Sequence, residues 1–173
     1  LIGKMLQADG KKVFLGGNLG APFIGAVTDS WDWGVVEISS FQLEWVEQFR
    51  PRIALLLNVT EDHLDRYASF ADYCQAKKRI FAAQQSSDVA ILNRDDPLVW
   101  ALRERIAARV VSFGFGEVAE GLFATPTEIV WRAGAGEEHY YLGNIKIQGV
   151  HNLENIMAAI AAAKCAGVSR RAI

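Results

Sequence analysis

Five short apolar runs, separated by stretches of helical composition, constrain this chain more than any single motif. Lys12–Leu15 (KVFL), Trp33–Ile38 (WGVVEI), Ile53–Leu57 (IALLL), Asp88–Leu92 (DVAIL) and Arg109–Phe113 (RVVSF) read as strands. Helix-like patterns fall between them at Phe41–Gln48, Ser69–Gln85 and Asp96–Ala107. Apolar runs this short and this continuous belong to strands buried on both faces, and helices between them imply βαβ crossovers and a parallel sheet. From Gly114 to Gln148 the pattern changes to alternating runs with glycine turns (LFAT, EIVWRA, EHYYLGNIKI), which predicts an antiparallel meander attached to the main sheet. An alanine-rich helix, Asn152–Ala166, stops at Gly167. The expected fold is α/β: a mostly parallel, doubly wound sheet with helices on both faces plus a small antiparallel meander, residues 1–173 forming one domain. The opening stretch LIGKMLQADG has helical composition, ends at Gly10 as a helix would, and starts with Leu1. It is read as a fragment whose start lies inside a helix.

Composition narrows the partners. The 173 residues are 51% hydrophobic with a formal net charge of −2, enough for a sizeable core. That charge, without a basic run, argues against nucleic acid. No apolar run approaches the roughly 18 residues of a membrane span, and no signal peptide is visible. Cys74 and Cys165 lack CxxC spacing and read as reduced thiols of a cytoplasmic protein; a monomer is expected.

In open parallel sheets ligands collect outside the carboxyl ends of the strands. Three strands end in residues that a plain turn does not require. The first runs into GGNLG (16–20), the second ends at Glu37 before SSFQLE, and the third releases into NVTEDHLDRY (58–67). Each has a structural alternative. The glycines after the first strand are ordinary turn chemistry, with Asn18 a possible cap. Gly3-Lys4 imitates the tail of a phosphate loop, but Met5 stands where Ser or Thr is needed. Glu37 shares its face with Trp33 and Val35; it either reaches solvent at the strand end or pairs with a cation. His63 lies between Asp62 and Asp65, as a surface residue or a ligand.

Lys77 is the most informative position. The stripe Phe70, Tyr73, Cys74, Ile80 and Phe81 has helical spacing, and at about 100° per residue Lys77 falls within roughly 20° of Phe70, while Lys78 and Arg79 point away. A lysine on a core face must snorkel, pair or lose its proton. Once neutral it can react with carbon dioxide to give a metal-binding carbamate. Asn152 and Asn155, in HNLEN, have the spacing of an N-cap and N3 pair, with ligand contact as the alternative.

Taken together, GGNLGAP, VEISSFQLE, LNVTEDHLDRY, YCQAKKRIF, ILNRDDP and GVHNLENIMAAIAAA, in this order, resemble the central domain of the Mur ligases. SSFQLE with TEDHLDRY points within that family to the member that adds D-glutamate. The resemblance covers nearly all of the chain and implies a beginning just after the family's phosphate loop and an end before the last nucleotide-contacting residues. It implies ATP and Mg2+ as cofactors, and UDP-N-acetylmuramoyl-L-alanine and D-glutamate as substrates in peptidoglycan precursor synthesis. Under it Glu37 binds one magnesium ion, and His63 with carbamylated Lys77 serves a second. Asn18, Ser39, Gln42 and His63 contact the UDP-muramoyl substrate, and Asn152 and Asn155 lie near adenine. The competing readings are another superfamily member, such as a folylpolyglutamate synthase, and a non-catalytic nucleotide-binding module. A dinucleotide oxidoreductase ranks behind both because GxGxxG is absent.

Overall fold

The computed structural model describes residues 1–62, 65–144 and 149–173. Helix α1 (Ile2–Ala8) leads into β1 (Val13–Gly17), which pairs in parallel with β2 (Trp33–Glu37). A single-turn helix α2 (Ser40–Leu43) follows. The chain then builds β3 (Ile53–Leu56), α3 (Phe70–Lys78), β4 (Val89–Asn93), α4 (Pro97–Trp100) and β5 (Arg109–Gly114). Strands β6 (Gly121–Ala124), β7 (Glu128–Ala133) and β8 (Gly136–Tyr141) precede the long helix α5 (Val150–Cys165). The main sheet runs β3-β4-β5-β6-β7-β8, parallel from β3 to β6 and antiparallel from β6 to β8. The fold class matches the sequence reading, with two refinements. The meander begins with a strand that pairs in parallel with β5. Strands β1 and β2 form a two-stranded sheet of their own.

Strand alternation supplies both cores. Val89 and Ile91 of β4 face one side, with Val111, Phe113, Leu122 and Ile129, beneath α5. Ala90 and Leu92 face the other, with Tyr73, Phe81, Val99 and Leu102. Every residue of β4 is buried, which is why DVAIL lacks a polar alternation. Ala158, Ala159, Ala161, Ala162 and Ala163, all buried, let α5 lie close to its neighbours. Leu6 of α1 packs with Val13, Ala163 and Val168, and with Trp33 and Val35 of β2. Helix α1 thereby joins the small sheet to α5. Among the described residues no helix is long and apolar enough to cross a membrane.

The helices are shorter than the periodicity predicts. In place of Phe41–Gln48, α2 stops at Leu43; Trp45 and Val46 are weak helix formers, and the Val46 carbonyl accepts from the Arg79 guanidinium at 2.8 Å. In place of Ser69–Gln85, α3 tightens into a 3-10 turn at Arg79–Phe81, after which Gln84 turns inward to donate to the carbonyls of Pro51 and Val89. In place of Asp96–Ala107, α4 ends at Trp100 and continues as a 3-10 turn, Ala101–Glu104. Short 3-10 ends of this kind are common where helical hydrogen bonds run out.

Candidate functional site

The ends of β1 and β2 meet in one cluster. Asn18 donates its backbone N–H to the Glu37 carbonyl at 2.7 Å, and its amide Nδ2 lies 3.4 Å from Glu37 Oε1. The glycines make this approach possible. A Cβ on Gly17, which has φ +113°, would fall 2.1 Å from the Glu37 carbonyl oxygen, so no other residue fits there. Glu37 itself is exposed. Its carboxylate therefore leaves the strand for solvent, as the first of its two sequence alternatives has it, while Trp33 and Val35 are absorbed by α1.

Beyond Glu37, Ser39 caps α2. Its Oγ accepts from the Gln42 N–H at 3.3 Å, and Gln42 Oε1 accepts from the Ser39 N–H at 3.0 Å. These two candidates are thus bound to each other as a capping box. The segment after β3 folds onto this helix. Tyr67 stacks on Phe41 with ring centroids 6.0 Å apart, and Arg66 reaches Glu44 at 3.1 Å. The Tyr67 hydroxyl is buried beside Glu44 and Ser40 but has no partner of hydrogen-bonding geometry among the described residues. Burial, then the nearby Glu44 carboxylate, pushes its pKa up. A cavity of about 390 Å³ between α2 and α3 is lined by Glu44, Tyr67, Asp72, Gln75, Ala76 and Arg79.

Lys77 sits at the margin of this assembly. It is half-buried, and its Nζ lies 5.1 Å from the centroid of the buried Tyr73 ring, which in turn meets Tyr67 edge-on at 5.4 Å. The lysine therefore snorkels along the aromatic row, with its ammonium against a ring face. Lys78 is half-buried as well, so burial does not separate the two as helical phase alone suggested.

Asn152 and Asn155 are not a cap pair. Helix α5 starts two residues earlier than expected, capped at Gly149 with φ +102°, which makes Asn152 its third residue. Both asparagines are exposed on its first turns. Between them Glu154 accepts from the buried Asn93 side chain at 3.3 Å, tying α5 to the end of β4.

Sequence reasoning missed the Asn93–Asp96 run, noted only as part of a resembling motif. Asp95 accepts the Phe115 N–H at 2.7 Å, and Asp96 accepts the Val59 N–H at 2.9 Å while capping α4. The available signal was three polar side chains directly after a strand with no polar alternation, followed by Pro97.

His63 lies outside the described residues. Among those described, no group of three or more His, Cys, Asp and Glu side chains converges as a metal cage would. An exposed carboxylate backed by a neutral amide is nevertheless what magnesium uses when a substrate phosphate and water complete its shell. A carboxylate and an amide at the ends of β1 and β2, with an ammonium on α3, are groups that can orient and neutralise a phosphorylated ligand.

Residues 1–163 match the family model of the Mur ligase middle domain. The chain is 50% identical to a UDP-N-acetylmuramoylalanine–D-glutamate ligase of Geobacter metallireducens, over 94% of this chain and 36% of that protein. It therefore spans little more than a third of the length of such curated relatives. Among solved structures it is similar in fold to a UDP-N-acetylmuramoyl-L-alanyl-D-glutamate–2,6-diaminopimelate ligase, with a TM-score of 0.77 at 18% identity, covering 99% of this chain and 41% of the other. It is also similar to the MurF ligase of Thermotoga maritima in complex with ADP, with a TM-score of 0.66 at 17% identity, covering 97% of this chain and 43% of the other.

Proposed function

Because the chain belongs to the Mur ligase family, as its middle domain, we propose that it is the nucleotide-handling part of a longer ATP-dependent ligase that joins D-glutamate to UDP-N-acetylmuramoyl-L-alanine. The 50% identity with a D-glutamate ligase across nearly the whole chain carries this reading. In the reaction the terminal phosphoryl group of ATP passes to the substrate carboxylate, the amine of D-glutamate attacks the acyl phosphate, and inorganic phosphate leaves as the amide forms. Phosphoryl transfer of this kind depends on positioning and charge neutralisation more than on protein nucleophiles.

The roles are those the family resemblance implies, and the exposure of Glu37, Asn152 and Asn155 supports them. Glu37, exposed and steadied by Asn18, would hold magnesium, which supplies positive charge to the phosphoryl oxygens. Asn18, Ser39 and Gln42 face the UDP-linked substrate, and Asn152 and Asn155 face the nucleotide; the ADP-bound Thermotoga relative supports a nucleotide at this fold. His63 and Lys77 serve the second metal position, Lys77 as a carbamate when the site is assembled. Without the metal the Tyr73 ring face favours the Lys77 ammonium, so the carbamate would form only where a bound cation offsets the loss of that contact.

The test is ATP-dependent phosphate release by the full-length protein, with UDP-N-acetylmuramoyl-L-alanine and a panel of amino acids. D-glutamate alone should support turnover, and residues 1–173 alone should support none. Equal turnover with a different amino acid would move the protein to another branch of the family. Turnover by the isolated segment would remove the need for further parts.

A further inference from the structure

β4 ends in the sequence Asn93-Arg94-Asp95-Asp96, and each acidic side chain reaches toward a different neighbour. The β3–β4 ladder stops at Leu56 and Leu92. Past that point the chain leaving β3 is caught by Asp96, whose Oδ2 accepts the Val59 N–H at 2.9 Å. The other oxygen of the same carboxylate accepts from the N–H groups of Leu98 and Val99, at 2.9 and 3.0 Å, and so starts α4. On the opposite flank Asp95 Oδ2 accepts the Phe115 N–H at 2.7 Å. Gly114 allows this, since a Cβ there would fall 2.7 Å from Asp95 Oδ2 and from Arg94 Cγ. Asn93, 3% exposed, accepts from the Asp95 N–H and donates to Glu154 of α5.

We infer that Asp96 is a positioning residue for the loop that leaves β3, within a clamp formed by Asn93, Asp95 and Asp96 that fixes the carboxyl edge of the main sheet. The inference rests on the reading of that edge as the place where phosphates are handled. Loop 58–62 begins the stretch NVTEDHLDRY, and its direction is set where Val59 is held. Val59 is itself buried, so the apolar core retains the loop without Asp96. The carboxylate adds orientation. An ionised acceptor shared by three N–H groups gives directional hold that packing does not.

The chemistry supplies a selective variant. In Asp96→Asn the amide oxygen can still cap α4, but its NH2 then confronts the Val59 N–H, donor against donor. In Asp96→Ser the cap also survives, and the side chain is too short to reach Val59. In Asp95→Asn one oxygen still serves the Phe115 N–H.

In the full-length ligase, Asp96→Asn and Asp96→Ser should retain the wild-type Tm to within a few degrees. Both should lower kcat by ~10- to 100-fold with a smaller change in KM for ATP, the scale expected when reacting groups are misplaced. Deuterium exchange of the peptide containing Val59 should accelerate in both, and Asp95→Asn should behave nearly as wild type. Unchanged kcat in both Asp96 variants, with faster Val59 exchange, would overturn the positioning role. So would a fall in activity that only tracks a fall in Tm. A wild-type protein without ligase activity would defeat the functional reading alone, and the clamp would then stand or fall on the Val59 exchange rate.

Discussion

At the amino ends of β3 and β4, Arg50 closes on Asp88 at 2.6 and 3.2 Å, and Asp88 also accepts the Gln85 N–H at 2.8 Å. Gln84 spans the same end, donating to two carbonyls. At the carboxyl end of β2, in the separate two-stranded sheet, Glu37 has the Asn18 amide at 3.4 Å and is otherwise exposed, and Asn155 projects from the start of α5. Both ends are polar, but they use polarity differently. The amino end consumes its charges internally: Asp88 is 5% exposed and its pKa is held low, by the Arg50 guanidinium first and the Gln85 amide second, against the opposing effect of burial. The carboxyl end of β2 leaves hydrogen-bonding capacity unspent at Glu37, whereas Asn93, Asp95 and Asp96 after β4 are taken up by the clamp. A folded chain that keeps unspent polar capacity at the carboxyl end of a parallel strand has a place for a ligand there.

The sharpest way to break this contrast is Glu37→Ala in the full-length ligase. Turnover should fall by ~10²–10³-fold, the scale seen when one charge-stabilising contact is removed from a transition state. The Tm should stay put, because the side chain is exposed. A lowered Tm with proportionate activity loss would make Glu37 structural and erase the difference between the two ends.

Lys77→Ala comes next. It should remove most activity, by ~10-fold or more, and a short carboxylic acid in solution should restore part of it by filling the vacated place. Lys78→Ala, on a side chain of similar burial, should remain close to wild type. Equal losses at both positions would show that helix packing, rather than the Lys77 head group, was disturbed.

The amino end should respond in the opposite sense. Asp88→Ala strands Arg50 and the Gln85 N–H, so Tm should drop by several degrees while kcat per folded molecule holds. The pH dependence has a definite sign. A carboxylate whose folded pKa lies below its unfolded value of about 4 contributes stability that is complete above that value and is lost as pH falls through the folded pKa. Asp88→Asn should therefore be most damaging near neutral pH, and its Tm should begin to approach the wild-type curve below about pH 4 and meet it only below the lowered folded pKa. A difference that stayed constant down to strong acid would show that Asp88 contributes shape rather than charge.

The two ends were also unequally legible. Strand positions and the parallel core followed from short apolar runs, since a strand buried on both faces has little choice of residue, as the wholly buried β4 shows. The GGNLG turn and Glu37 could be assigned to a strand end from order alone. What the sequence hid was pairing. Nothing local announces that Arg50 will meet Asp88 from 38 residues away, or that Asp95 and Asp96 will diverge toward Phe115 and Val59. Such contacts depend on strand order, which periodicity does not encode. Helix ends were misplaced for a related reason: α5 begins at a glycine cap and not at Asn152, and α2 is cut short where Arg79 takes the Val46 carbonyl.

The smallest effect tests a residue that belongs to both kinds of end. Ser39 lies just beyond Glu37, yet its hydrogen bonds close on Gln42 in a reciprocal cap. If capping is its whole role, Ser39→Ala should cost about 0.5–1 kcal/mol of stability and leave KM for the UDP-linked substrate unchanged. If its hydroxyl also meets substrate, KM should rise as well, by a few fold. We expect both, since Ser39 is only half-buried and its hydroxyl, which lies 3.3 Å from Gln42 Oε1, can turn that hydrogen toward a ligand while its oxygen keeps the Gln42 N–H. Ser39→Thr keeps an oxygen in the same place and should restore stability. Whether it also restores KM is the decisive reading, because the added methyl leaves the cap intact but occupies space on the ligand side. Recovery of Tm without recovery of KM would place Ser39 with the ligand-facing end. Wild-type KM in Ser39→Ala would assign it to the internally satisfied class of Asp88.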